Sequence, residues 1–293
     1  MSANPLVNDT GFPYASRNDA EQGEGGVLAV QPNNNSDNIA RIARSFVDAR
    51  RDGTTLADYP GDMPRGLADA YAVQDAAIDL SPQPIAGWKV GRINPPLGEI
   101  DRLAGPIFAD HVFAADGAEL AMPVFADGFA AAEAEFLLRI AATPDPHKTS
   151  YSMAEAVALI DAVHIGIEIA SSPFPGINDH GPTVTISDFG NNNGLIVGDA
   201  VEGWRDTDLN HWPVELWIDG ARVGAATAAT MLDGPFGAAR FLFELMAQRG
   251  IALSAGQWIS TGAVTGVHPV SPGNRVEARF DGRLSVDCTI KAR

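Results

Sequence analysis

The amino-acid sequence predicts an α+β fold, in which a mostly β core is accompanied by a small number of helices. Many short alternating or apolar runs are separated by glycine, proline and Asp-Gly pairs, as is typical of strands and hairpin turns. Strict alternation of strands with helices is absent, which argues against a doubly wound nucleotide-binding sheet. No Gly-x-Gly-x-x-Gly motif follows a strand-like run and no phosphate-binding Gly-rich loop is present, so ATP and NAD are not expected as ligands.

The first part of the chain predicts a tail followed by two helices. Residues 1–35 are rich in Asn, Gly, Asp and Ser, which predicts a disordered tail or an arm that orders on a partner subunit. Apolar residues recur at helical spacing over 36–53 and again over 64–80. We therefore divide the chain into the tail, an N-terminal helical segment over 36–83, and a β-rich domain over 84–293 that carries the candidate catalytic residues.

Within the β-rich domain, capping and turn signals place two helices and two hairpins. A Ser-x-x-Glu capping box predicts a helix over 152–164, with His164 at its end. Proline near the start and glycine just past the end predict a helix over 235–249. Asp-Gly pairs at 219–220 and 281–282 predict hairpin turns. The other apolar runs are expected to form the strands of a coiled core.

Composition restricts the partners of the protein. The 293 residues include 37 acidic and 20 basic side chains, which gives a formal net charge of -17. Nucleic acids and anionic membrane surfaces are therefore not expected as partners, because both attract a basic surface. No run approaches the roughly 18 apolar residues of a membrane span, and the single cysteine, Cys288, excludes a disulfide within the chain. These features predict a cytoplasmic protein, in which an anionic substrate would need a local cation.

Three glutamates interrupt apolar strand-like runs. Glu133 and Glu135 are two residues apart in the run 127–140, so both point to one face of the strand and repel each other. Glu168, in another strand-like run, shares its face with small residues, so a large or charged group can approach it. An ionised carboxylate buried without a partner costs several kcal/mol. One divalent cation would remove that cost for all three glutamates.

The ligand chemistry indicates which metal to expect. Oxygen-only ligands suit Mg²⁺, Mn²⁺ or Ca²⁺, whereas zinc would need histidine or cysteine at ligand spacing. Alternation along the strand also allows Glu133 and Glu135 to line a solvent-exposed face, without any metal. From the pattern of these two residues alone, both interpretations remain open, and Glu168 favours the metal.

Lys89 is the other unusual residue, because it lies in the apolar, glycine-flanked run GWKVG. The chain has three lysines against seventeen arginines, so a lysine here is not the default surface cation. In a low-dielectric site its amine can move protons, or it can hold a substrate carboxylate. The alternative is an edge-strand lysine that reaches solvent.

The order of motifs resembles the 2-keto-4-pentenoate hydratase family of the fumarylacetoacetate hydrolase superfamily. The resemblance spans roughly 37–291 and is carried by DAYAVQ, GWKVG, GPIFADH, AEAEFLLRI, IGIEIASS, GLIVGD and STGAVTGVHPVSPGNRVEARFDG. It implies a coiled mixed β core with peripheral helices, a homo-oligomer, and Mg²⁺ or Mn²⁺ held by the three glutamates. It also implies catalytic roles for Lys89 and Asp110. Candidate substrate-binding residues carried over with it are Ser172, Asp188 and Thr261.

The resemblance implies a function for the chain. This is a metal-dependent hydratase, a carbon–oxygen lyase that adds water to a 2-hydroxy-2,4-dienoate, the enol of an unsaturated 2-oxo acid, in the catabolism of aromatic or steroid rings. Three alternatives remain: a 4-oxalocrotonate-type decarboxylase, an acylpyruvate carbon–carbon hydrolase, and a family member without catalysis.

Two departures from the family pattern bear on this choice. Residues 171–173 read Ser-Ser-Pro where family members commonly carry Asp-Ser-Arg, so an arginine is missing. Asn191 and Asn192 replace small serines. Because both departures lie where the substrate is expected to bind, they leave its identity and the reaction open.

Overall fold

The structure is a computed structural model that describes residues 34–293, which form one compact unit. The predicted tail over 1–35 lies outside the described residues, except for its last two positions, where the first helix already begins. No helix within 34–293 is long and apolar enough to cross a membrane.

Within residues 34–293, five α-helices accompany the sheets, and two of them precede the first strand. They are α1 (Asn34–Asp52), α2 (Leu67–Leu80), α3 (Met153–Ala158), α4 (Pro182–Ser187) and α5 (Gly234–Arg249).

In the described part of the chain, thirteen strands form two sheets. They are β1 (Ile85–Leu97), β2 (Ile100–Phe108), β3 (Val112–Ala114), β4 (Ala121–Val124), β5 (Phe129–Ile140), β6 (Ile160–Ser172), β7 (Asn192–Ala200), β8 (Pro213–Ile218), β9 (Ala221–Thr227), β10 (Trp258–Ser260), β11 (His268–Pro269), β12 (Arg275–Phe280) and β13 (Leu284–Ala292).

The two sheets together give the predicted mixed β core. The first has the order β2-β1-β10-β5-β6-β7-β3, with β11 also paired to β5, and the second has the order β4-β13-β12-β8-β9. Most neighbours are antiparallel, whereas β1–β10, β3–β7 and β4–β13 are parallel. The α+β fold class predicted from the sequence is therefore confirmed.

The main core lies between the inner faces of the two sheets. Ile165 and Ile167 of β6 belong to the same buried cluster as Val276 of β12. The rings of Phe136 and Phe280, one from each sheet, pack edge to face with their centroids 5.3 Å apart. Helices α1 and α2 bury their apolar faces in a second cluster. These contacts make the long β5–β6 pair a rigid support for the side chains that it carries.

The local turn signals were correct. Asp219 and Gly220 both adopt positive φ, 50° and 78°, in the turn between β8 and β9, as a tight hairpin requires. Helix α5 ends at Arg249, and Gly250 adopts the left-handed conformation, with φ 68°, that closes a helix. Glycine and Asp-Gly signals act through the backbone of a few residues, so they can be interpreted without tertiary context.

The prediction of a helix over 152–164 was wrong in its length. The capping box is present: the Ser152 hydroxyl accepts from the Glu155 N–H, and the Glu155 carboxylate accepts from the Ser152 N–H. The helix nevertheless ends at Ala158, because the β-branched residues that come after it pair with β5 and bury alternate side chains in the core. His164 therefore lies within β6, where its Nδ1 is 2.8 Å from the carbonyl oxygen of Gly198, and not at a helix end.

Candidate metal centre

Strand pairing brings the three predicted glutamates together. Glu133 of β5 lies directly opposite Glu168 of β6, and Glu135 lies opposite Gly166, which adds no side chain to the space. One carboxylate oxygen from each glutamate lies within 4.8 Å of the others, and all three side chains are buried. The interpretation in which Glu133 and Glu135 face solvent is thereby excluded.

Glu135 uses only one of its two carboxylate oxygens. Its Oε2 accepts hydrogen bonds from the Ser260 hydroxyl at 2.5 Å and from the Gly262 N–H at 2.8 Å. Its Oε1 is buried and has no hydrogen-bond partner. The two bonds, from the last residue of β10 and from the loop after it, therefore hold the carboxylate in one orientation and leave Oε1 unsatisfied.

Glu168 shows the same arrangement. Its Oε1 accepts a hydrogen bond from Nδ2 of Asn192 at 2.9 Å and lies 3.3 Å from Nζ of Lys89. Its Oε2 is buried without a partner. Since a buried unsatisfied polar atom costs roughly 1–3 kcal/mol, two such oxygens in one cluster call for a ligand.

The pKa values of the cluster reflect its excess negative charge. Burial raises the pKa of Glu133 to about 7, and burial together with the charges of Glu168 and Glu133 raises the pKa of Glu135 well above its ordinary value. Burial also disfavours the Lys89 ammonium, but the charges of the three glutamates outweigh that effect and raise its pKa. One buried ammonium faces three buried carboxylates, so a cation is needed to balance them.

The residues present fit a hard divalent cation. Three carboxylates, two of them with an unpartnered buried oxygen, form an oxygen-only ligand set of the kind that Mg²⁺, Mn²⁺ and Ca²⁺ accept. No histidine or cysteine belongs to this cluster among residues 34–293, which disfavours zinc.

The cluster opens into a large cavity. Its volume is about 980 Å³, and Lys89, Glu133 and Thr261 lie in its wall. The Thr261 hydroxyl donates to the carbonyl oxygen of Phe136 at 2.8 Å, so it is already engaged by the backbone. Lys89 does not reach bulk solvent from an edge strand, because β1 lies between β2 and β10 and the side chain is buried.

The other predicted catalytic residue lies elsewhere. Asp110, in the short 3₁₀ turn 109–111, is half-exposed, and its carboxylate is 4.0 Å from the ring of His111. It does not lie in the wall of the cavity. Its catalytic role stays a prediction that the geometry does not support.

Ser172 and Asp188 form a buried network with Arg50 instead of lining the cavity. The Arg50 guanidinium donates to both carboxylate oxygens of Asp188, at 2.5 and 2.9 Å, and the Ser172 hydroxyl donates to Asp188 at 2.6 Å. Arg50 also donates to the carbonyl oxygens of Ser171 and Asn192, at 3.0 and 3.1 Å. Because neither Ser172 nor Asp188 lies in the cavity wall, their role in substrate binding stays a prediction.

This network reaches the metal centre through Asn192. Arg50 holds the backbone carbonyl of Asn192, whose side chain donates to Glu168. Arg50 was not identified from the sequence, although a signal exists. It follows Phe46 by four residues and Ile42 by eight, which places it on the buried stripe of α1, where an arginine requires a partner.

A left-handed turn forms the cavity floor beside Lys89. Phe189, Gly190 and Asn191 have consecutive positive φ values of 56°, 64° and 57°. A Cβ on Gly190 would lie 3.2 Å from Cδ of Lys89, which is a tight contact, and the positive φ at this position favours glycine. Asn191 donates from Nδ2 to Oδ1 of Asn178 at 3.2 Å, and its own Oδ1 is buried in the cavity wall without a partner.

We compared the amino-acid sequence with those of known proteins. No protein-family model matches the chain. The chain is 27% identical over 263 residues to a 2-keto-4-pentenoate hydratase of Burkholderia vietnamiensis, covering 86% of this chain and 97% of that protein. It is 33% identical over 139 residues to a 4-oxalocrotonate decarboxylase of a Pseudomonas species, covering 46% of this chain and 52% of that protein.

Solved structures show the same fold. A 4-oxalocrotonate decarboxylase from Pseudomonas putida G7, complexed with magnesium and adipate, matches with a TM-score of 0.74 and 22% identity, covering 87% of this chain and 98% of that one. A fumarylpyruvate hydrolase from Pseudomonas aeruginosa, complexed with Mn²⁺ and pyruvate, matches with a TM-score of 0.54 and 15% identity, covering 72% of this chain and 91% of that one. The resemblance to 2-keto-4-pentenoate hydratases predicted from the motifs is thereby confirmed over most of the chain, and its fold is the one that these solved structures share.

Proposed function

We propose that the chain is a metal-dependent hydratase that adds water to a 2-hydroxy-2,4-dienoate, the enol of an unsaturated 2-oxo acid. The observation that carries this proposal is the pair of unpartnered buried oxygens, on Glu135 and Glu168, in a cluster whose Glu133 lines one cavity together with Lys89. Together with Glu133 these residues would hold Mg²⁺ or Mn²⁺. When bound, such a metal would act as a Lewis acid toward a 2-oxo acid and stabilise its enolate.

The chain's own residues supply the other parts of the reaction. The Lys89 ammonium, fixed beside Glu168, is placed to hold the substrate carboxylate or to donate a proton to the carbon chain. Asn191 offers a buried acceptor oxygen, which suits a hydroxyl group or the water that is added. The left-handed turn at 189–191 fixes both groups, because it carries Asn191 and packs against Lys89. Asp110 lies outside the cavity wall, so the proposal that it carries a proton rests on the motif resemblance alone.

A decarboxylase of the 4-oxalocrotonate type is the second candidate. Structures with that name match the described fold with TM-scores of 0.73 and 0.74. In sequence, the decarboxylase matches cover 45–48% of this chain, whereas the hydratase matches cover 85–86%. An acylpyruvate hydrolase is disfavoured, because its water would need a histidine base and no histidine among residues 34–293 lies in the cavity wall.

The two reactions give different products and can be tested directly. Protein stripped with EDTA is resupplied with Mg²⁺ or Mn²⁺ and given 2-hydroxypenta-2,4-dienoate or 4-oxalocrotonate. Loss of the dienoate ultraviolet absorbance without CO₂ supports hydration, whereas CO₂ release from 4-oxalocrotonate overturns it. The variants Lys89→Met and Glu168→Gln are expected to remove turnover, and Glu215→Gln on β8 is the control outside the cluster. If neither substrate is turned over with either metal, the interpretation as a family member without catalysis gains support.

We further propose that the protein works in the cytoplasm as a homo-oligomer in aromatic or steroid ring catabolism. Its single cysteine is buried, and this suits a reducing compartment. Light scattering coupled to size-exclusion chromatography measures the oligomeric state, and a monomer would contradict that part of the proposal.

A further inference from the structure

The cavity beside the metal centre is much larger than a short 2-oxo acid requires. Its volume of about 980 Å³ lies at the upper end of the roughly 300–1,000 Å³ range that encloses drug-sized ligands. Both Lys89 and Leu97 line it, eight positions apart on β1. At about 3.3 Å per residue the strand can span up to roughly 25 Å. The cavity therefore continues well beyond the place where the acid head group would bind.

Most of the additional wall is apolar. It is built from strand, loop and helix residues that carry hydrocarbon side chains, namely Val90, Ile93, Leu103, Met231, Leu232, Ala238, Val264 and Val267. Two arginines also line the cavity. The guanidinium of Arg102 is already engaged by the Leu232 carbonyl at 2.5 Å and by Asp101 at 3.2 Å, whereas Arg92 is exposed. Beyond Lys89 the wall is therefore mainly apolar, with Arg92 as the exposed cation and with polar side chains at Thr230 and Thr265.

The apolar wall continues to the mouth of the cavity. Leu97 and Val267 line the cavity and are 44% and 51% exposed, which makes them two of the most exposed large apolar side chains in the described chain. Apolar side chains that lead continuously from a polar site to solvent are typical of a groove for an apolar ligand.

We propose that this part of the cavity is a subsite for a hydrocarbon extension of the substrate. The preferred 2-oxo acid would then carry a long or ring-bearing apolar tail, rather than a short chain or a second carboxylate. Only the position of the acid head group in this inference rests on the proposed function. The apolar tail is inferred from the residues that line the cavity.

The test compares unreactive saturated acids on the Mg²⁺-loaded protein by calorimetry. The three probes are 2-oxobutanoate, 2-oxooctanoate and 2-oxooctanedioate. Burial of one methylene group strengthens binding about fourfold. 2-Oxooctanoate has four more methylene groups than 2-oxobutanoate, so its affinity can be up to roughly 200-fold higher if all four are buried. We expect 2-oxooctanoate to bind at least tenfold tighter than 2-oxobutanoate. A smaller gain, or tighter binding of the diacid through Arg92, would overturn the inference.

A charged variant at the cavity mouth distinguishes a specific apolar subsite from nonspecific hydrophobic binding. Val267→Asp places a carboxylate against the tail and is expected to lower the affinity ratio of the long to the short acid by at least tenfold. Val223→Asp, on β9 and 42% exposed but outside the cavity wall, is the matched control and should leave the ratio unchanged. Equal ratios in the two variants would contradict the proposal.

The result also separates this inference from the proposed function. If 2-oxobutanoate binds only when Mg²⁺ is present but chain length brings no gain, the head-group assignment stands and the apolar subsite falls. If no 2-oxo acid binds in a Mg²⁺-dependent way, both fall.

Discussion

Replacing Glu135 with glutamine is expected to stabilise the metal-free protein and weaken metal binding at the same time. The side chain is fully buried, its Oε2 accepts from Ser260 and Gly262, and its Oε1 has no partner. Glutamine has the same shape, so its oxygen can keep both hydrogen bonds. Its NH₂ group would replace the unpartnered oxygen and face carboxylates that can accept from it. The substitution therefore removes one acidic group from the crowded cluster without creating a cavity.

The structure indicates the size of both effects. Satisfying one buried polar atom is worth roughly 1–3 kcal/mol, and a chain of this size gains about 2–4 °C in Tm per kcal/mol. The metal-free variant should therefore melt roughly 2–12 °C above the wild type. A metal at one hundred times its Kd stabilises the wild type by about 2.7 kcal/mol, or roughly 5–11 °C. The variant has lost an anionic ligand and should show little of that increase.

Thermal unfolding followed by circular dichroism, in EDTA and over a Mg²⁺ or Mn²⁺ titration, measures both quantities. Glu215→Gln is the control, since Glu215 lies on β8 and is bound by Arg222 and Trp217, away from the cluster. Two results would refute the idea of an unsatisfied metal site. The first is a Glu135→Gln protein with a lower Tm than the wild type in EDTA, and the second is a variant whose Tm rises with added metal as much as the Tm of the wild type does.

Three further predictions concern the surroundings of the site. Arg50→Lys cannot hold Asp188 and the Asn192 carbonyl together, so we expect Mn²⁺ affinity measured by calorimetry to fall about tenfold or more; unchanged affinity would show that the network is only structural. Gly190→Ala must strain a left-handed residue and places a methyl group 3.2 Å from Cδ of Lys89, so kcat should fall while Mn²⁺ still binds, and a wild-type kcat would contradict this role. Burial raises the pKa of Cys288 to about 12, so at pH 8 only about one thiol in ten thousand is ionised; reaction with a thiol reagent before unfolding would contradict its burial.

The metal cluster could be predicted in part because its key spacing is local. Glu133 and Glu135 share a face simply because strands have a two-residue period. That Glu168 lies opposite Glu133 is a consequence of the register of β5 against β6, which no local pattern contains. Burial decides between solvent and metal, and burial depends on the second sheet that covers the first. The pattern therefore placed the carboxylates on a common face, and tertiary structure removed the alternative.

The helix predicted over 152–164 shows the opposite relation between local and tertiary effects. A capping box concerns only Ser152 to Glu155, and it formed as predicted. The conformation of the residues after Ala158 is decided by competition between a helix of weak propensity and a place in the central sheet. Ile160 and the alternating apolar residues after it bury side chains completely as a strand, so the sheet prevails. Start signals are therefore more reliable than the length of the element that they start.

The departure at 171–173 was the main reason to consider a family member without catalysis. The structure weakens that reason, because Arg50 of α1 lies within hydrogen-bond distance of Ser171. Arg50 donates hydrogen bonds to the Ser171 carbonyl and to the Asp188 carboxylate, and the Ser172 hydroxyl also donates to Asp188. The region thus contains a buried cation although residues 171–173 contain none. Arg50 and Asp188 are 138 positions apart, so no motif could pair them. Since this network supports Glu168 and stays out of the cavity, the unusual sequence at 171–173 bears on how the metal centre is held. The choice of substrate then depends on the apolar wall between Lys89 and the cavity mouth.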